Sequence, residues 1–191
     1  MALESFDKRK KDVLGKSDKS SKNNWDEKII PLCNKINSLK DYYTTSSCSG
    51  RIVLIMDFDK KVSNLFLYVS HDKINLKEFK KTLERASKNK NKNKTIIFKQ
   101  EPCGLHIACR TLKDAQIILD KAKKVGWKKS GIISSSKRFI VEILGTEKLE
   151  FPIMGNKKIL VNDIFLNLII NRSNDNLEKS WKKINNLNKI L

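Results

Sequence analysis

The stretch Thr44–Phe58, TTSSCSGRIVLIMDF, decides how the rest of the chain is read. Its second half, RIVLIMDF, is β-branched and apolar enough to be a buried strand. Its first eight residues hold two threonines, three serines, a cysteine, a glycine and an arginine. Small hydroxyl side chains in that density form turns, so the spacing predicts a helix-to-strand turn that uses the backbone freedom of Gly50. Such a turn can stand alone or bind an anion. In the second case its amides and the Ser46, Ser47 and Ser49 hydroxyls converge on the ligand, and Arg51 grips a carboxylate or phosphate through its planar fork. Cys48 does not fit a phosphatase nucleophile, because that loop needs an arginine six residues on, where Leu54 stands.

Upstream, Ile29, Ile30, Cys33, Ile36 and Leu39 follow helical spacing, with Pro31 tolerable near the first turn. Downstream, NLFLYVS pairs with RIVLIMDF as an antiparallel hairpin. Asn75 caps a helix with Glu78 three residues on and Leu76, Phe79, Leu83 and Ala86 as its stripe. KTIIFKQ and GLHIACR read as strands. Thr111 opens a helix stopped by Gly126. SGIISSS, KRFIVEILGT and a stretch beyond a Pro152–Gly155 corner add three short strands, and a long helix begins near Asn162. Its inward candidates are Ile164, Phe165, Leu168, Ile169, Leu177, Trp181, Ile184 and Leu187. The links between strands are mostly too short for parallel crossovers, and no G-x-G-x-x-G follows a strand. The expectation is therefore a mixed α/β (α+β) single domain over residues 1–191, with a largely antiparallel sheet flanked by helices and no Rossmann fingerprint. Residues 1–24 read as a basic arm and residues 87–94 as a Lys/Asn-rich loop insertion.

The net charge of +19 over 191 residues points to a polyanionic partner, with nucleic acid the first candidate. An apolar fraction of 39% is ordinary for a folded soluble chain. The charged amino terminus lacks a signal-peptide core and no stretch is apolar enough to span a bilayer, so a cytoplasmic location is expected. The cysteines Cys33, Cys48, Cys103 and Cys109 form no C-x-x-C pair, and His71 and His106 lack zinc-finger spacing, so neither a metal nor a disulfide framework is expected. His106 alternates with Leu105 and Ile107 and points away from them. WKKSGI repeats the Ser-Gly-then-strand pattern at Ser130 and Gly131, with Lys137 and Arg138 following; two such turns can line one pocket or be two ordinary turns.

Taken in order, GKSDKSSK, TTSSCSGRI, EP..LHI.C, A..I...A...GWKKSGI and K.F.VEI.GTEKLEFPI resemble the tRNA wybutosine-synthesising protein three family from about Phe6 through the final helix. The resemblance implies a methyltransferase. It would carry a methyl from S-adenosylmethionine to a ring nitrogen of the tricyclic wybutosine precursor beside the anticodon of phenylalanine tRNA. Membrane, DNA and metal are not expected partners. Lys16, Asp18, Lys22, Ser47, Cys48, Ser49, Gly50, Arg51, His106, Ser130, Gly131, Lys137 and Thr146 fall on the family's pattern. An N–H acceptor must lose a proton, and Asp18 or His106 can take it. Lys8, Arg9, Lys10 and Lys11 are expected to hold the tRNA backbone. The rival functions are a non-catalytic basic RNA-binding module and a cysteine-dependent hydrolase.

Overall fold

The hydroxyl-rich stretch is a strand. In the computed structural model, which describes residues 2–15, 26–57, 65–88 and 94–191, Tyr42–Cys48 runs antiparallel to Gly104–Cys109. The elements in order are α1 (Ala2–Leu14), α2 (Ile30–Ser38), β1 (Tyr42–Cys48), β2 (Arg51–Met56), β3 (Phe66–Ser70), α3 (Leu76–Ser87) and β4 (Ile96–Glu101). They continue with β5 (Gly104–Cys109), α4 (Leu112–Lys124), β6 (Lys129–Ser134), β7 (Phe139–Leu144), β8 (Leu149–Gly155), β9 (Lys158–Ile159) and α5 (Asp163–Ile190). Lys16, Asp18 and Lys22 of the arm, and the centre of the Lys/Asn-rich loop, lie outside the described residues.

The turn expectation fails because the tyrosines and threonines that open β1 are good strand formers, and the serines occupy positions that a polar sheet face accepts. Only Ser49 and Gly50 make the corner, where Gly50 takes φ of 100°, a conformation costly for any residue with a Cβ. The mixed α/β class and the antiparallel pairing are as expected. The strands divide, however, between a four-stranded sheet in the order β1-β5-β7-β6 and a five-stranded sheet in the order β3-β2-β4-β8-β9. Neighbours β4 and β5 therefore belong to different sheets.

Two compact units hold one sheet each. The first comprises residues 1–49, 103–146 and 180–191, and the second residues 50–102 and 147–179. In the first, Leu105, Ile107, Val141 and Ile143 of the sheet meet Leu32, Cys33 and Ile36 of α2, Ala115, Ile118 and Ala122 of α4, and Ile184 and Leu187 of α5, all buried around Trp127. Each leucine, isoleucine or valine of this set removed from water contributes about 1.5–3 kcal/mol before entropy. Thr111 caps α4 through a reciprocal capping box with Asp114, and Gly126 follows its last turn with φ of 96°. Helix α1 is tied to this unit at Phe6, whose ring lies 5.2 Å from that of Tyr43, and at Asp7. Arg110 forks onto Asp7 and also donates to Asp41 at 2.6 Å. That guanidinium holds the Asp7 carboxyl below its ordinary range.

In the second unit Phe79 of α3 and Phe98 of β4 meet edge to face at 5.7 Å, and Asn75 caps α3 by accepting from the Glu78 amide. Pro152 is inside β8 rather than at a corner. The ladder with β4 shifts register between Ile96 and Ile97, beside Pro152, where a residue with no N–H is tolerated. The reversal instead falls at Asn156 and Lys157, both with positive φ.

Helix α5 is rotated from its expected phase. Ile169, Leu177, Ile184 and Leu187 are buried as expected, but Ile164 and Leu168 are exposed, at 82% and 63%, while Leu166 and Ile170 are buried. The buried stripe runs through polar residues, Ser173, Asn176 and Ser180, which an apolar count cannot register. Asn176 is drawn inward by donating to Gln100 at 2.7 Å, and Gln100 itself donates to the Glu101 and Glu147 carbonyls. Among the described residues no helix is long and apolar enough to cross a membrane.

Candidate active site

Residues directly opposite one another in an antiparallel pair project to the same face of the sheet. In the four-stranded sheet Ser46 opposes His106, His106 opposes Glu142, and Glu142 opposes Gly131. These four make one row across β1, β5, β7 and β6, on the face away from the Leu105, Ile107, Val141 and Ile143 core. Cys48, Gly104, Leu144 and Lys129 form the next row by the same register. The Phe6 ring of α1 packs at Tyr43, on the other side of the His106 row. The His106 and Glu142 side chains are 39% and 38% exposed, and Nε2 of His106 lies 3.0 Å from Oε1 of Glu142.

The glycines of this face differ in what requires them. A Cβ on Gly104 would come within 3.1 Å of the Leu144 side chain, so close packing explains that residue. A Cβ on Gly131 would meet nothing within 4 Å among the described residues, and its backbone is not in the left-handed region. Neither packing nor conformation explains Gly131. Its open backbone lies beside Glu142 in the row.

The other expected site residues are dispersed. Ser47 opposes Leu105 and so faces the other side of the sheet from Ser46, beside Cys33, whose thiol is pushed up to about 11 by burial despite the Ser47 hydrogen bond. The hydroxyls of Ser46, Ser47 and Ser49 therefore do not converge as they would in a turn. Ser49 is fully buried. Its amide donates to Asp26 Oδ2 at 2.8 Å, and its hydroxyl has no hydrogen-bond partner among the described residues. Ser130 also faces inward. It donates to the Trp127 carbonyl at 2.8 Å and accepts from the Leu144 amide, so Ser130 and Gly131 lie within strand β6, not in a second turn. Lys137 is exposed in the β6–β7 link, and Thr146 accepts from Lys183.

Gly50 and Arg51 belong to the second unit. There Arg51 Nε donates to Glu101 Oε2 at 2.5 Å, and the guanidinium lies 5.3 Å from the Phe66 ring centroid. Part of its charge is therefore answered within the protein. Cys103 and Cys109 are buried small side chains in the core, and burial raises the Cys109 thiol to about 12, far from a reactive thiolate.

Two residues of the row and its surroundings escaped the sequence reading. Glu142 is the single acid in the apolar run FIVEIL; its alternation with Val141 and Ile143 is the signal that it points away from them, as His106 does from Leu105 and Ile107. Asp26, which holds the Ser49 amide, gave no signal, because its partner lies 23 residues away.

Comparison with known proteins finds the same fold and similar sequences along most of the chain. The solved structure of the PH1069 protein from Pyrococcus horikoshii superposes with a TM-score of 0.85 at 34% identity, covering 98% of this chain and 94% of that one. A Thermococcus sibiricus protein named tRNA(Phe) 7-((3-amino-3-carboxypropyl)-4-demethylwyosine(37)-N(4))-methyltransferase is 36% identical over 95% of this chain and 92% of its own length. A Danio rerio protein named tRNA wybutosine-synthesizing protein 3 homolog is 32% identical over 98% of this chain and 75% of its own. With the family described as Methyltransferase TYW3 matching residues 4–191, the chain belongs to the TYW3 methyltransferase family.

Proposed function

We propose that this enzyme transfers a methyl group from S-adenosylmethionine to the N4 ring nitrogen of the tricyclic wybutosine precursor at position 37 of phenylalanine tRNA, the base named for its archaeal relatives. The observation that carries the reading is the Ser46–His106–Glu142–Gly131 row, which sets a half-exposed imidazole and its Glu142 partner in line with the open backbone of Gly131. S-adenosylmethionine supplies an electrophilic methyl carbon on a sulfonium, so the acceptor nitrogen's electron pair forms the new bond and the C–S pair leaves with sulfur. The amino-acid end of this donor needs a hydroxyl or amide for its carboxylate and an acid for its ammonium. The buried Ser49 hydroxyl and the adjoining Asp26 carboxylate fit that pair of needs.

His106 is the group that takes the ring proton as the nitrogen is alkylated. Asp18, the other candidate, lies outside the described residues. The planar base rests over Gly131, with Ser46 on the far side of His106. Orienting methyl carbon and nitrogen is the larger contribution, worth up to about 7–11 kcal/mol in favourable intramolecular cases. Incubation with labelled S-adenosylmethionine and phenylalanine tRNA bearing the unmethylated base should move label into that base. Tight tRNA binding without transfer would favour a non-catalytic RNA-binding module instead.

Gly131→Ala tests the seat directly. The new methyl has open space around it, so stability should hold or rise by about 0.4–1 kcal/mol, while KM for the tRNA rises about tenfold, equivalent to about 1.4 kcal/mol of lost binding. Steady-state kinetics beside thermal unfolding read both, and an unchanged KM would remove the base from this position.

The charge on α1 gives a second expectation. Lys8, Arg9 and Lys11 are exposed, whereas Lys10 donates to the Leu39 carbonyl and is partly buried. Neutralising Lys8, Arg9 and Lys11 together should weaken tRNA binding and reduce the slope of log K against log salt by roughly 0.7–0.9 for each phosphate that the helix no longer neutralises. The affinity for S-adenosylmethionine should stay the same. A salt slope equal to that of the parent protein would place the RNA elsewhere.

A further inference from the structure

We propose that Glu142 is the positioning residue of His106, fixing its imidazole as the tautomer whose Nδ1 carries the lone pair. The inference rests on His106 being the base of the reaction. Glu142 sits directly opposite His106 in the β5–β7 ladder, and its Oε1 is 3.0 Å from Nε2. An ionised carboxylate can only accept, so Nε2 must donate, and in the neutral ring that leaves Nδ1 as the proton acceptor. The backbone gives the pair little slack. His106 is held in ladders on both sides, to β1 and to β7, and its carbonyl accepts from the Thr45 hydroxyl at 3.3 Å. One ring nitrogen is thus committed to the protein, and the other has no hydrogen-bond partner among the described residues. A base that must spend time in the wrong tautomer loses turnover without losing substrate affinity, which separates this role from a purely structural one.

The test uses the full chain with ¹⁵N-labelled histidine. The chain has two histidines, His71 and His106, so His106→Ala assigns the spectrum. Long-range proton–nitrogen correlation in the parent protein should show the proton on Nε2 of His106. In Glu142→Gln the side-chain amide can either accept or donate, so both tautomers should appear. Turnover should fall about 10- to 100-fold with KM nearly constant, and Glu142→Ala should behave at least as severely. A proton on Nδ1 in the parent, or a tautomer and turnover indifferent to both Glu142 variants, would overturn the assignment. Tautomers that respond as expected, in an enzyme that keeps full turnover as His106→Ala, would overturn it differently, by removing the base role it serves.

Discussion

Trp127→Ala is expected to destabilise the protein by about 3–5 kcal/mol, the range for deleting a large aromatic side chain from a packed core. Trp127 is the largest fully buried side chain among the described residues, at 0% exposure, and lies in the first unit's cluster among α4, α5 and the four-stranded sheet. Its indole N–H also donates to the Lys183 carbonyl at 3.3 Å, and its own carbonyl accepts from the Ser130 hydroxyl. The side chain therefore fills the core while its backbone secures the start of β6. Trp127→Phe keeps most of the apolar volume and loses the donor, so it should cost less, about 1–2 kcal/mol. For a chain of this length the alanine variant should lower Tm by roughly 10 °C. Urea unfolding followed by far-ultraviolet circular dichroism measures both variants. A loss under about 1 kcal/mol for alanine would show that the cluster collapses to fill the space, contrary to a rigid core.

His106→Ala carries the largest expected effect on catalysis. A positioned general base contributes about 10²- to 10⁴-fold, so turnover should fall within that range, equivalent to about 2.7–5.4 kcal/mol of barrier. Stability should move by less than about 0.5 kcal/mol, because the side chain is half exposed and lies on the face away from the core. Substrate affinity should change little, since the proton is transferred only as the reaction proceeds. Single-turnover transfer of labelled methyl to the tRNA, with enzyme in excess, isolates the chemical step from product release. Turnover within about threefold of the parent protein, well short of the range for a positioned base, would assign the proton to another acceptor. That result would leave the sheet face as a binding surface only.

The His106 expectation comes from strand register, and register is where the sequence was least informative. Local signals carried well. The Asn75 and Thr111 caps, the β2–β3 hairpin, Gly126 beyond α4 and the inward residues Ile184 and Leu187 of α5 depend on neighbours within a few positions or on a clean apolar period. The ordered motifs also carried family membership, because their sequence and spacing are properties of the chain alone.

Other features required distant partners. TTSSC became a strand only because β5, about 60 residues later, supplies the ladder that its amides need. Which of its hydroxyls faces His106 was then set by the irregularity between Thr44 and Ser46, since a one-residue slip sends every side chain to the opposite face. Glu142 joined the site through a cross-strand pairing with His106 that no local pattern contains. On α5, the Asn176–Gln100 bond and the buried serines turned the helix so that Ile164 and Leu168 face outward. The sequence by itself determined most of the elements, their caps and the family, which are encoded in short-range period and motif order. Tertiary structure alone decided which polar side chains share a surface, because long-range pairing fixes strand register and helix phase.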